Sequence, residues 1–367
     1  MTRRAAVAAA VVLATAAAAA PAQAAKAPKL RAALDGIVAG GAPGAIMVVH
    51  SRGRTLRLAS GLADRDARTP MRPGMHVRIA SVTKTYTAAV VLQLVGEHKL
   101  RLGDSVQRWL PGLVPNGGNI TVRQLLGHTS GLGDFEFDPR VLAPYLGGDL
   151  GYKWPPRKLA EIGAEQPLFF PPGQDIAYSN TNYVLLGLIV ERVTGHSFGR
   201  ELRQRLIRPL GLHETTFPTE SALPSPFAHG YRVFDQPPAV DITGLYPYAW
   251  AAGAIVSTDE DVARFFRALL SGRVIGPRLL EKMQQGRLEH QVDFPGQRYG
   301  LGLISFPLGC GKAWGHNGDI PGYVTYAFST RDGRRQMVLT INQDALSLPR
   351  EAAQALGIAL KRGFCGG

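Results

Sequence analysis

Ser81-Val82-Thr83-Lys84 places a hydroxyl and an amine three residues apart. On a helix, positions i and i+3 share a face, so the Lys84 amine can lie beside the Ser81 oxygen. A serine hydroxyl is a poor nucleophile until a neighbouring base takes its proton. A lysine can serve when burial and nearby positive charge lower its pKa. A helix N-terminus adds partial positive charge where an oxyanion develops. Read alone, the pair is also a helix whose Ser81 caps the first turn. Two distant stretches carry groups suited to the same chemistry. Tyr178-Ser179-Asn180 follows the turn Phe170-Pro171-Pro172-Gly173. A phenol near an ammonium can relay a proton, and an amide can orient a substrate carbonyl. Read alone, this is a packed loop tyrosine with Asn180 as a helix N-cap. Gly315-His316-Asn317-Gly318 is expected at the start of a strand. There His316 can supply positive charge or a hydrogen bond near a leaving group, and Gly318 allows close backbone approach. Read alone, it is a turn histidine.

The elements that must position these groups follow from periodicity. Gly44 to Arg57 alternates and reads as a hairpin turning at Arg52-Gly53. Ser81 to Leu100 is helical in pattern, with Val82, Ala89, Leu92 and Val95 among its apolar positions. Thr121 to Leu126 and Asn182 to Val193 are the clearest later helices. Strand signals return at Gly300 to Phe306, Tyr323 to Phe328 and Gln336 to Ile341, the last two joined by Arg331-Asp332-Gly333. A helix from Arg350 to Lys361 closes the chain. Strands at both ends with helices between them predict an α+β fold, an antiparallel sheet flanked by helices with an inserted all-helical lobe. The expected division is 26–115 with 241–367 for the discontinuous sheet domain and 116–240 for the helical lobe.

Arg3 and Arg4, the apolar run Ala5 to Ala20 and the Ala22-Gln23-Ala24 site read as a signal peptide over residues 1–25. Cleavage near Ala24 or Ala25 then gives a secreted, extracellular protein with no membrane anchor, since no later segment is apolar for about 18 residues. Outside the reducing cytosol, the two cysteines, Cys310 and Cys365, are expected to form one disulfide, the alternative being two buried thiols. With 45% hydrophobic and 19% charged residues in 367, the chain is globular and large enough for a substantial core. The net charge of +13 arises from scattered Arg and Lys without interleaved aromatics, which speaks against nucleic acid as a partner. No H-E-x-x-H or C-x-x-C occurs, so no metal site and no cofactor are expected.

Taken together, S-x-x-K, Tyr-x-Asn and a late His-x-Gly resemble the penicillin-recognising serine hydrolases. That family includes DD-carboxypeptidases, class C β-lactamases and their esterase and D-aminopeptidase relatives. Ile120 to Leu132, Phe170 to Gly173 with Tyr178 to Tyr183, Ala251 to Ile255, Tyr299 to Leu303 and Tyr323 to Ser329 are similar too, so the likeness covers roughly 30–365. Within the family, the leader, the His-x-Gly and the placement of the cysteines are most similar to extracellular D-alanyl-D-alanine carboxypeptidases. The resemblance implies that Ser81 is acylated and that Lys84 and Tyr178 share proton handling. It implies that His316 lies on a strand edge beside the substrate, which Asn180, Asn317, Gly318 and Asp319 contact. It also implies an oxyanion hole from the Ser81 and Asp319 backbone N–H groups; His128, although it recurs in the family's signature, is expected to be structural. The substrates so implied are cell-wall (peptidoglycan-type) peptides, with β-lactams as acylating ligands, acting on a monomer.

The pattern departs where such carboxypeptidases hold the substrate carboxylate. They carry hydroxyls in the strand motif and an arginine after the Gly-Leu stretch; here Asn317, Asp319 and Ile304 stand in those places. An aspartate repels a carboxylate, and a missing guanidinium removes a bidentate partner. Carboxypeptidase action is therefore expected alongside a rival reading as D-aminopeptidase, amidase or esterase. A catalytically silent penicillin-binding protein is the reading from a different class. No G-x-S-x-G is present, which disfavours an α/β-hydrolase.

Overall fold

The structure, a computed structural model, describes residues 26–234, 238–289 and 294–366. The expected leader lies outside these residues. A nine-stranded sheet runs through the molecule: β1 (Gly44–Ser51), β2 (Arg54–Asp64), β3 (Thr69–Pro70), β4 (Arg287–Leu288), β5 (Arg298–Tyr299), β6 (Ile304–Leu308), β7 (Gly311–Ile320), β8 (Tyr323–Ser329) and β9 (Arg335–Ile341). Their spatial order is β3-β2-β1-β9-β8-β7-β6-β5-β4, so the first hairpin joins the last strands through β1 and β9. Every pairing in it is antiparallel. The β1–β2 hairpin turns at Arg52-Gly53 as expected. Both residues have positive φ (51° and 72°), the backbone twist a two-residue hairpin turn requires.

Side-chain alternation along the strands builds a core on each face. In β9, Met337, Leu339 and Ile341 point to one side, where helices α1 (Lys26–Ala39) and α6 (Arg350–Cys365) cover them. Val338 and Thr340 point to the other, and Thr340 Oγ1 donates to Asp259 Oδ1 (2.7 Å) in helix α5 (Asp259–Leu270). Behind α5 lie α2 (Thr83–Gly96), α3 (Val122–Leu126) and α4 (Asn180–Thr194). Helix α2 is buried on every side through most of its length, as an all-round apolar pattern demands. The expected disulfide is formed: Cys310 and Cys365 link the residue before β7 to the last residue of α6. Closing a loop with a separation of 55 residues stabilises by about 4 kcal/mol in the chain-entropy picture.

One strand expectation needs correction. The stretch from Gly300 becomes a strand only at Ile304. Gly302 adopts φ +76°, and a β-carbon there would lie 2.3 Å from Ala88 Cβ and 2.8 Å from the Tyr183 hydroxyl. The chain bends at that glycine so that its backbone can press against α2 and α4.

Candidate active site

Ser81 lies in a 3-10 turn (Ala80–Val82) that runs directly into α2. It does not cap the helix, and Lys84 falls one turn on, fully buried. Ala80, the residue before Ser81, is held at φ +49° although it carries a side chain. Such a conformation costs of order 1–3 kcal/mol and persists only where its surroundings enforce it. Those surroundings include the Ile79 N–H bonded to Ile255 O (3.1 Å) and the strand β7 pressed against the turn.

Lys84 Nζ lies 2.9 Å from Ser81 Oγ, 2.6 Å from Asn180 Oδ1 and 2.9 Å from Ala252 O. The last two oxygens can only accept, whereas the serine hydroxyl can also donate. A neutral Lys84 therefore gives its two hydrogens to Asn180 and Ala252 and turns its lone pair to Ser81. Burial lowers the Lys84 pKa to about 7, against the pull of the Asp134 and Glu136 carboxylates. The Tyr178 phenol hydrogen-bonds Ser81, and the Lys84 amine sits 4.8 Å from the centre of its ring. Desolvation by the surrounding protein pushes the phenol well above its usual range, the Ser81 contact opposing it. At neutral pH the tyrosine keeps its proton.

Asn180 begins α4 with both ends of its amide engaged. Oδ1 accepts from Lys84, while Nδ2 donates to Asp134 Oδ2 (3.0 Å) and Glu136 Oε2 (2.7 Å). Its main function in this arrangement is to tie the amine to two carboxylates. Asp134 is buried, which raises its pKa, to about 6, with Glu136 adding to the rise. Glu136 is half-buried and also accepts from the Tyr248 hydroxyl (2.7 Å). The sequence reading missed Asp134, Glu136 and Tyr248. The signal available was two acidic residues spaced by one, immediately after the Gly-rich end of the His128-to-Leu132 segment.

The His316-to-Asp319 segment lies in β7, beyond its pairing with β6, which ends at Gly315. From His316 to Ile320 the strand pairs with β8 alone, leaving its other edge open toward Ser81. Gly318 makes that approach possible: a β-carbon there would fall 2.4 Å from Ile79 O and 3.0 Å from both Ala80 Cβ and Ser81 N. Of the two roles open to His316, positive charge or a hydrogen bond, its surroundings favour the hydrogen bond. Its ring is 1% exposed, and burial together with the Lys84 charge lowers its pKa to about 3. Nδ1 lies against Asn317 O, which can only accept, so Nδ1 carries the hydrogen and Nε2 accepts from the Tyr299 hydroxyl (3.0 Å). Asn317 is half-buried beside it.

Asp319 is exposed, and its Oδ1 accepts from the Ala345 N–H (3.0 Å). Protein gathered around it raises its pKa; the Ala345 bond opposes this, and the Asp344 and Glu136 carboxylates add to it. Water at an exposed side chain screens part of that effect. Glu136 thus acts electrostatically on Lys84 on one side and on Asp319 on the other. Ile304, where a guanidinium was looked for, is buried in the apolar cluster that holds Tyr299. No group of His, Cys, Asp and Glu suited to a metal ion occurs among the described residues.

A family profile described as Beta-lactamase matches residues 30–361. The chain is 35% identical to a D-stereospecific amidohydrolase from Streptomyces, with a TM-score of 0.84 over 93% of this chain and 99% of that one. Against the D-amino acid amidase of Ochrobactrum anthropi, identity is 28% and the TM-score 0.80, over 91% and 99%. Among sequence relatives, Penicillin-binding protein 4 of Amycolatopsis lactamdurans is 32% identical over 77% of this chain and 76% of its own length. Esterase EstB of Burkholderia gladioli is 33% identical over 72% and 75%.

Proposed function

Because the chain belongs to the β-lactamase family of serine hydrolases, with its antiparallel-sheet fold, we propose that Ser81 is its acylated nucleophile. Its substrates are then amides or esters whose acyl part carries a free amine, D-amino-acid amides and short peptides above all. The observation that carries the first part is the buried Lys84 amine 2.9 Å from Ser81 Oγ, its two other partners being oxygens that can only accept. Lys84 takes the serine proton as Ser81 attacks the carbonyl; the Tyr178 phenol gives its proton to the departing amine and regains one from the Lys84 ammonium, which returns both groups to their starting forms. Water then hydrolyses the acyl-enzyme. The Ser81 N–H and the open edge of β7 at Asp319 flank the developing oxyanion. His316 acts from behind, holding that strand through Tyr299, and Asn180 keeps Lys84 aimed.

The substrate class rests on charge. Glu136, bonded to the Asn180 amide that holds Lys84, and Asp319, on the open edge of β7, place two acidic side chains near the reacting groups, and Ile304 offers no countercharge. This favours an ammonium and disfavours a terminal carboxylate. A second reading, cleavage of D-alanyl-D-alanine termini of peptidoglycan type, draws on the similarity to Penicillin-binding protein 4. Action outside the cytosol accords with the leader-like sequence and the disulfide.

The test is a panel of amidated, carboxylate-ended and N-terminally acetylated D-amino-acid peptides, with mass spectrometry of the trapped protein. Wild-type protein should gain an acyl adduct that Ser81→Ala lacks. Acetylating the substrate amine should lower kcat/KM at least tenfold, and Glu136→Gln or Asp319→Asn should narrow that gap. Preference for carboxylate-ended peptides selects the second reading. Failure of every acyl donor, labelled penicillin included, to modify Ser81 leaves a non-catalytic binding protein.

A further inference from the structure

We infer that His128 is a positioning residue that sets the Tyr178 phenol against Ser81, a role resting on the reading of Ser81 as nucleophile. His128 is fully buried and adopts φ +54°, a conformation few residues with side chains take. It follows Gly127 at the end of α3 and reaches over the segment that carries Tyr178. Its contacts bracket that residue. The His128 carbonyl accepts from the Ala177 N–H (3.0 Å), and Nδ1 accepts from the Ser179 N–H (3.1 Å). The N–H groups of Ala177 and Ser179, the residues on either side of Tyr178, are thus both held by one residue. The ring stacks on the Tyr178 ring, centroids 4.3 Å apart at 28°, so the phenol plane is fixed as well.

The chemistry of the imidazole explains why histidine stands here. An amide N–H can only donate, so the Nδ1 it faces bears a lone pair. Asn182 Nδ2, 3.1 Å away in α4, donates to the same nitrogen. A protonated ring would lose both bonds. The groups facing it keep it neutral: burial, then the Lys84 charge and His316, depress its pKa, while Tyr178, Tyr183 and Tyr299 surround the ring. The strained backbone at 128 is the geometric cost of bringing carbonyl and ring to the same tripeptide.

The experiment compares His128→Phe with His128→Asn. Phenylalanine keeps a ring to stack but no acceptor; asparagine tolerates the left-handed backbone and offers Oδ1 to the Ser179 N–H. Labelled penicillin counts acylable Ser81 sites, and kcat and KM for D-phenylalanine p-nitroanilide are expressed per counted site. His128→Phe should lower kcat by roughly 100-fold with KM within threefold, the penalty of a catalytic group displaced by about 1 Å. His128→Asn should recover at least tenfold of that loss. If kcat per counted site in His128→Phe stays within twofold of wild type, the role is purely structural and the inference falls. It falls equally if His128→Asn is as slow as His128→Phe. Wild-type protein that gains no adduct sinks the nucleophile reading itself, whereas equal kcat per labelled site sinks only the role of His128.

Discussion

Replacing Gly318 by alanine puts a methyl group between β7 and the Ser81 turn. The added carbon would start 2.4 Å from Ile79 O, where ordinary contact begins at 3.4 Å, and 3.0 Å from Ala80 Cβ and Ser81 N. The atoms it meets are backbone or the first carbon of a side chain, so none can rotate away. Ala80 already occupies a strained φ, and Gly318 is paired with Thr325 in the neighbouring strand. The two elements must therefore part by about 1 Å, a misplacement that costs on the order of 100-fold in rate at an active centre. Overpacking of this kind also destabilises by about 1–3 kcal/mol. The assay is kcat and KM for a D-amino-acid p-nitroanilide with Gly318→Ala, alongside thermal melts. Gly276→Ala, at a position with nothing within 4 Å, serves as the control. We expect kcat to fall about 100-fold, KM to change little, and the melt to drop by several degrees. Activity within threefold of wild type in a folded Gly318→Ala protein would refute the claim that this contact sets the distance between strand and nucleophile.

Three further outcomes follow from the same structure. On the proposed mechanism Lys84 acts as a neutral amine; with its pKa lowered to about 7, kcat/KM should rise about tenfold per pH unit below that value and level off above it. Lys84→Met should abolish this limb and slow acylation by at least about 100-fold, read from penicillin labelling rates. Asp259 is buried with its pKa raised to about 7, and Oδ2 has no hydrogen-bond partner among the described residues. The folded state holds a proton that an unfolded aspartate releases near pH 4, so stability falls as pH rises from about 4 to about 7, by up to roughly 4 kcal/mol. Asp259→Asn should raise the melting temperature at pH 8 and leave it unchanged near pH 4; equal shifts at both would contradict this. Cys310→Ser with Cys365→Ser should lower stability by about 2–4 kcal/mol in urea unfolding, without changing kcat.

The contact between Ser81 and Lys84 was legible because only three residues separate them across the 3-10 turn and the start of α2, where spacing dictates proximity. The β1–β2 hairpin was legible because Arg52-Gly53 marks its own turn. Glu136 and Tyr248 meet across 112 positions, and Lys84 reaches Ala252 O across 168, so only packing brings them together. Which of the two roles open to His316 survives, positive charge or a hydrogen bond, was not legible for a similar reason: protonation depends on burial, which His-Asn-Gly does not encode. The strand start at Ile304 was misplaced because Gly302 reads as part of an alternating run. Its turn is imposed by Ala88 and Tyr183, which lie far away in sequence.

Helices α1 and α6 lie on the face of the sheet turned away from Ser81, and the disulfide fastens the second of them there. An affinity tag, fluorophore or bead attached beyond the final helix would therefore project from the back of the molecule. Immobilised in that way, the protein should present its Ser81 face to bulky or insoluble substrates without obstruction.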